Sequence, residues 1–120
     1  MASAYRIARQ PARCFGIDAE DGCSAVLVER SGAEALRAEW YALDEAGVEA
    51  LAGRVTRHGD RARVCLSSRG ARALDVAGRM MRSPQVELIL LFERNRVPCT
   101  DSFAQAAHAG ELARSAQRAL

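Results

Sequence analysis

The chain has 120 residues, 49% of them hydrophobic and 27% charged, which excludes a disordered or fibrous protein and fits one globular domain. Its 17 basic residues, all arginine, and 15 acidic ones leave a formal net charge of +2. An even scatter of both signs is expected to make a solvated surface, not the broad basic field of an avid nucleic-acid binder, although arginine suits local phosphate contact.

Residues 1–11 are polar and without period, and read as a flexible arm, leaving 12–120 as the domain. Cys14-Phe15-Gly16-Ile17 is a short apolar run that ends at Asp18, as a buried strand presenting a carboxylate would. Glu20-Asp21-Gly22 is a turn, and Ala25–Val28 is a second strand, so the pair is a hairpin. From Leu36 to Ala42 the pattern alternates, with Leu36, Ala38, Trp40 and Ala42 on one face; this predicts a half-buried edge strand. Asp44 can cap a helix whose apolar stripe is Val48, Leu51, Ala52 and Val55, ending at His58-Gly59-Asp60.

Val64-Cys65-Leu66 is a central strand. Ser67 or Ser68 can cap the next helix, with Ala73, Leu74, Ala77, Met80 and Met81 inward, until Ser83-Pro84 stops it. Val86–Phe92 is almost wholly apolar and is predicted to be buried. Ser102–Leu120 is Ala-rich and reads as a final helix weakened by Gly110. The longest uninterrupted apolar run, Leu88–Phe92, is far short of a membrane span, and no apolar leader opens the chain, so a cytoplasmic protein without a membrane partner is expected. Cys14, Cys23, Cys65 and Cys99 form no CxxC pair. Zinc and a disulfide framework are not indicated, and Cys14 and Cys65 read as small buried hydrophobes.

The order β-β-β-α-β-α-β-α predicts an α/β fold with a five-stranded mixed sheet, order 3-2-1-4-5, and helices on both faces. It is the order of the ribonuclease-H-like fold. Phe15-Gly16-Ile17-Asp18 resembles the first-strand motif of the RuvC-like N-terminal domain of IS110-type transposases. Asp44–Leu51 is similar to that family's first helix, Val64–Gly70 to its "V-x-x-E-A-T-G" strand end, and Thr100-Asp101 with Glu111-Leu112-Ala113 to its late "T-D-x-x-D-A…L-A" segment.

The resemblance implies a two-metal nuclease site, in which several carboxylates converge on Mg²⁺ or Mn²⁺. Asp18 and Asp101 match two of the four expected ligands. The Glu position is Ser67 and the fourth falls at Ala104, so the site is degenerate. The expected function is therefore a non-catalytic, transposase-derived ribonuclease-H-like module binding protein or nucleic acid, with no cofactor. The alternative is a divergent Mg²⁺- or Mn²⁺-dependent DNA nuclease using Asp18, Asp101 and Glu93, with Glu20 or Asp21 contributing; a third reading is an assembly protein without a nucleic-acid role.

Asp18 reads equally as the start of a turn, and Asp101 as a helix cap. Ser67, Ser68 and Arg69 before a helix could receive an anion, but a capping Ser and a solvated Arg69 are favoured. A homodimer is expected through the third strand, with Trp40, or through the final helix. No Walker loop, GxSxG elbow or HExxH is present.

Overall fold

The computed structural model describes residues 13–20, 24–31, 34–35, 37–91 and 102–118. The expected arm, 1–11, lies outside them. Six strands, β1 (Arg13–Glu20), β2 (Ser24–Ser31), β3 (Glu34–Ala35), β4 (Glu39–Ala42), β5 (Ala62–Arg69) and β6 (Val86–Leu91), form one sheet with α1 (Glu45–Val55), α2 (Ala71–Met80) and α3 (Ser102–Arg118). The order is β3-β2-β1-β5-β6, and β4 also pairs with β2. β3 and β4 together fill the place of the predicted third strand, so the expected 3-2-1-4-5 order is the observed one. The sheet is mixed. β1 runs antiparallel to β2 and parallel to β5, and β5 runs parallel to β6.

Alternation along β1 divides the core between two faces. Phe15, Ile17 and Ala19 join Leu27, Val64 and Leu66 beneath α1 and α2. Cys14 joins Cys65, Leu112 and Ala116 beneath α3, and Val26 and Val28 meet Ala109 and Ala113 on that same side. Both cysteines are free and buried as expected, and burial pushes the Cys14 thiol up. Cys23 and Cys99 lie outside the described residues. Gly16 also faces α3, and the helix backbone at Ala109, Leu112 and Ala113 fills the space a side chain would need.

α1 forms as predicted. The Asp44 side chain accepts a hydrogen bond from the Gly47 amide at 2.7 Å, and Leu51, Ala52 and Val55 are buried. Gly59, at φ 67°, turns the chain in the left-handed region toward β5.

Three expectations are corrected. On α2 the buried stripe is Ala73, Val76, Ala77 and Met80, while Leu74 is 44% and Met81 73% exposed. The stripe i, i+3, i+4, i+7 begins at Ala73, which leaves Leu74 and Met81 off it. α2 is capped at Gly70, with no side-chain bond, because Ser67 and Ser68 remain inside β5. β6 is not buried but half-exposed, because it lies at the end of the strand order with β5 its partner among the described residues. Trp40 is 45% exposed, whereas Tyr41, on the opposite face of β4, packs against the core under α1. The face carrying Trp40 is the α3 side, and α3 lies mainly over β1, β2 and β5.

A polar network supports the α1 side. Arg54 donates to Glu29 at 2.8 Å and to Glu39 at 3.1 Å, Arg13 donates to Glu29 at 3.2 Å, and the Tyr41 hydroxyl donates to Glu39 at 2.8 Å. Both guanidinium groups also stack near the Phe15 ring. Burial and the Glu39 contact push the Tyr41 hydroxyl up to about 12. Burial alone would raise the Glu29 carboxyl, but hydrogen bonds from Arg13 and Arg54 more than offset that and hold it below its ordinary value. A carboxyl lowered by folding stabilises the folded state at neutral pH, and that contribution is lost as pH falls through its folded pKa. Urea midpoints between pH 7 and pH 3 should therefore fall, and Glu29→Gln should flatten part of the decline. An unchanged slope in that variant would show that the network does not set the acid sensitivity.

Candidate polar site at the ends of β1 and β5

Parallel pairing sets Asp18 opposite Ser67 and Glu20 opposite Arg69. These four alternate with Ile17, Ala19, Leu66 and Ser68, so their side chains share the α3 face of the sheet. Asp18 and Ser67 are fully buried. Two strands that each end in polar residues beneath one helix thus create an enclosed polar corner within an otherwise apolar interface.

Arg69 dominates its electrostatics. Its Nη2 lies 2.8 Å from a Glu20 carboxylate oxygen and 3.9 Å from Asp18 Oδ1, with only 15% of the Arg69 side chain exposed. The first is a charge-assisted hydrogen bond; the second is longer, a Coulombic contact without hydrogen-bond distance. Arg69 is thus engaged with carboxylates and not solvated as the sequence had favoured.

α3 closes the corner through Gln105. Its buried amide donates to the main-chain carbonyls of Ser24 at 2.7 Å and Asp18 at 3.3 Å, tying the β1–β2 hairpin to the helix. Ala104, where the resemblance expects a late ligand, is exposed, and the residue that turns toward β1 is its neighbour. Sequence reasoning missed Gln105, yet its spacing held the signal: Gln105, Ala109, Leu112, Ala113 and Ala116 form one helical stripe. Ser67 Oγ and Ser68 Oγ are buried without a hydrogen-bond partner among the described residues. Glu93, Asp101 and Asp21 lie outside them.

Among the described residues the donor set does not suit the metal pair that the resemblance implies. Among the described residues no group of three His, Cys, Asp or Glu is placed to hold a metal ion. Ser67 offers a neutral hydroxyl where a carboxylate is needed. More decisively, a guanidinium already supplies the positive charge between Asp18 and Glu20. A divalent cation a few ångströms from it would meet strong repulsion in a poorly screened setting. Against known proteins, the chain matches no protein-family model and no curated sequence. No helix among the described residues is long and apolar enough to cross a membrane.

Proposed function

We propose that the chain is a non-catalytic ribonuclease-H-like module, derived from a transposase domain, whose role is binding. The strand order supports this reading, as does the register that sets Asp18 beside Ser67, the position expected to hold the lost Glu. The observation that carries it is Arg69, which compensates Asp18 and Glu20 from within the protein. An internal cation keeps the carboxylates folded into the sheet without recruiting metal, and with the metal goes the activation of water for phosphodiester attack.

The test is cleavage of branched and single-stranded DNA in the presence of Mg²⁺ and Mn²⁺. Wild type and Asp18→Ala should show the same background. Cleavage that Asp18→Ala abolishes would overturn the proposal in favour of a divergent nuclease using Asp18, Asp101 and Glu93.

A further inference from the structure

The end of the sheet opposite Asp18 collects arginines, only some of which the fold uses. α3 runs antiparallel to β1: Gln105 lies over Asp18, whereas Arg63 at the start of β5 donates to the carbonyl of Ala116, and Arg30 at the end of β2 donates to the Gln117 side chain at 2.8 Å. At the same end the Arg13 amide donates to the Arg61 carbonyl at 3.0 Å, and the Arg13 side chain to the Arg57 carbonyl at 3.1 Å. The start of β1, the turn before β5, the end of β2 and the last turn of α3 are therefore brought to one pole, with Arg13, Arg30, Arg57, Arg61, Arg63 and Arg118.

Some of this charge is already used. Glu29 takes Arg13 and Arg54, and Glu87 takes Arg63 at 3.1 Å. Arg118, in the last turn of α3, is explained in part by the negative helix C-terminus. Arg57 and Arg61 have no such explanation, since they lie on a 3-10 turn and just before β5. Arg57, Arg61 and Arg118 are exposed, and among the described residues none of the three is ion-paired. Asp60, Glu34 and Glu87 are the exposed acids nearby, and Glu87 is taken by Arg63. At the other pole Asp18 and Glu20 end β1 and Asp44 and Glu45 open α1, against Arg69 and Arg72. The near-neutral total conceals this segregation.

We infer that the pole carrying Arg57, Arg61 and Arg118 docks a nucleic-acid phosphate backbone. Guanidinium groups donate in a planar fork matched to phosphate oxygens, and a lopsided charge distribution orients a polyanion on approach. Such contacts position the nucleic acid without reading bases, so unrelated sequences should bind alike. The inference supplies a partner class for the proposed binding module and rests on that reading, but it involves none of the residues around Asp18.

Fluorescence anisotropy of a labelled duplex of arbitrary sequence, across a salt series, tests it with the full chain. Binding should be micromolar or weaker near physiological salt, and log affinity should fall linearly with log salt. Combining Arg57→Ala, Arg61→Ala and Arg118→Ala should weaken binding at low salt by about tenfold or more and reduce the salt slope by about 2–3, roughly one for each lost phosphate contact. Arg72→Ala, at the start of α2, and Asp18→Ala should leave both unchanged. Thermal midpoints near wild type for the triple variant confirm that it remains folded. No salt-sensitive binding, or a slope that the triple substitution leaves intact, would overturn the inference. DNA cleavage dependent on Asp18 would overturn the non-catalytic reading while leaving this surface standing.

Discussion

Gly16→Ala should lower the thermal midpoint by about 10 °C or more, as expected from a loss of roughly 3 kcal/mol in a domain of this size. Gly16 sits mid-strand in β1, where glycine is ordinarily a weak choice. The compensation is the closeness of α3. A Cβ at this position would overlap the main-chain oxygen of Ala109 and the amide nitrogen of Ala113, neither of which can move without the whole helix. Lifting α3 would separate Ala109, Ala113 and Ala116 from Val26, Val28 and Cys65, and small side chains cannot bridge a widened gap. It would also draw Gln105 away from the carbonyls of Ser24 and Asp18. Gly53→Ala provides the control, since a methyl there meets nothing within 4 Å and should be neutral or mildly stabilising in α1. Equal thermal midpoints for Gly16→Ala and wild type would show that α3 does not depend on the bare strand.

Arg69→Met should cost about 3–5 kcal/mol, the usual consequence of removing one partner from a buried charge cluster. Methionine keeps much of the aliphatic volume but leaves the Asp18 and Glu20 carboxylates without the guanidinium that neutralises them. The identifying feature is reversal. Adding Asp18→Asn and Glu20→Gln removes the uncompensated charge and should recover most of the loss. A single Arg69→Met variant as stable as wild type at neutral pH, by urea unfolding, would show that Arg69 does not hold the corner together.

Much of the architecture was legible because period and punctuation agreed. The stripe from Leu51 to Val55, the Asp44 cap and the Gly59 turn each follow from local chemistry. Strand order followed from the sequence of elements together with right-handed crossovers. Burial was harder to read where it depends on what covers an element. Val86–Leu91 has the composition of a central strand, but its place at the sheet's edge leaves it half-exposed. Trp40 lies on the apolar side of an alternating segment that α3 does not cover. The polar corner was half visible. Asp18 and Ser67 could be paired from strand ends alone, whereas Arg69 was read as solvated because its partner Glu20 is 49 residues away and meets it only through the β1–β5 register. The charge segregation was hidden for the same reason, since arginines scattered along the chain converge only once α3 lies antiparallel to β1.

Whether the corner has exchanged metal for an internal cation can be measured directly. Amide resonances of a ¹⁵N-labelled sample, followed during a Mn²⁺ titration to millimolar concentration, report any bound ion through paramagnetic broadening of nearby signals. With Arg69 in place, the amides of Asp18, Ala19, Ser67 and Ser68 should broaden no more than those of the buried core around Phe15 and Val64. Selective broadening centred on Asp18 and Ser67 would contradict the guanidinium's role and return the site to the metal-dependent chemistry that the resemblance implies.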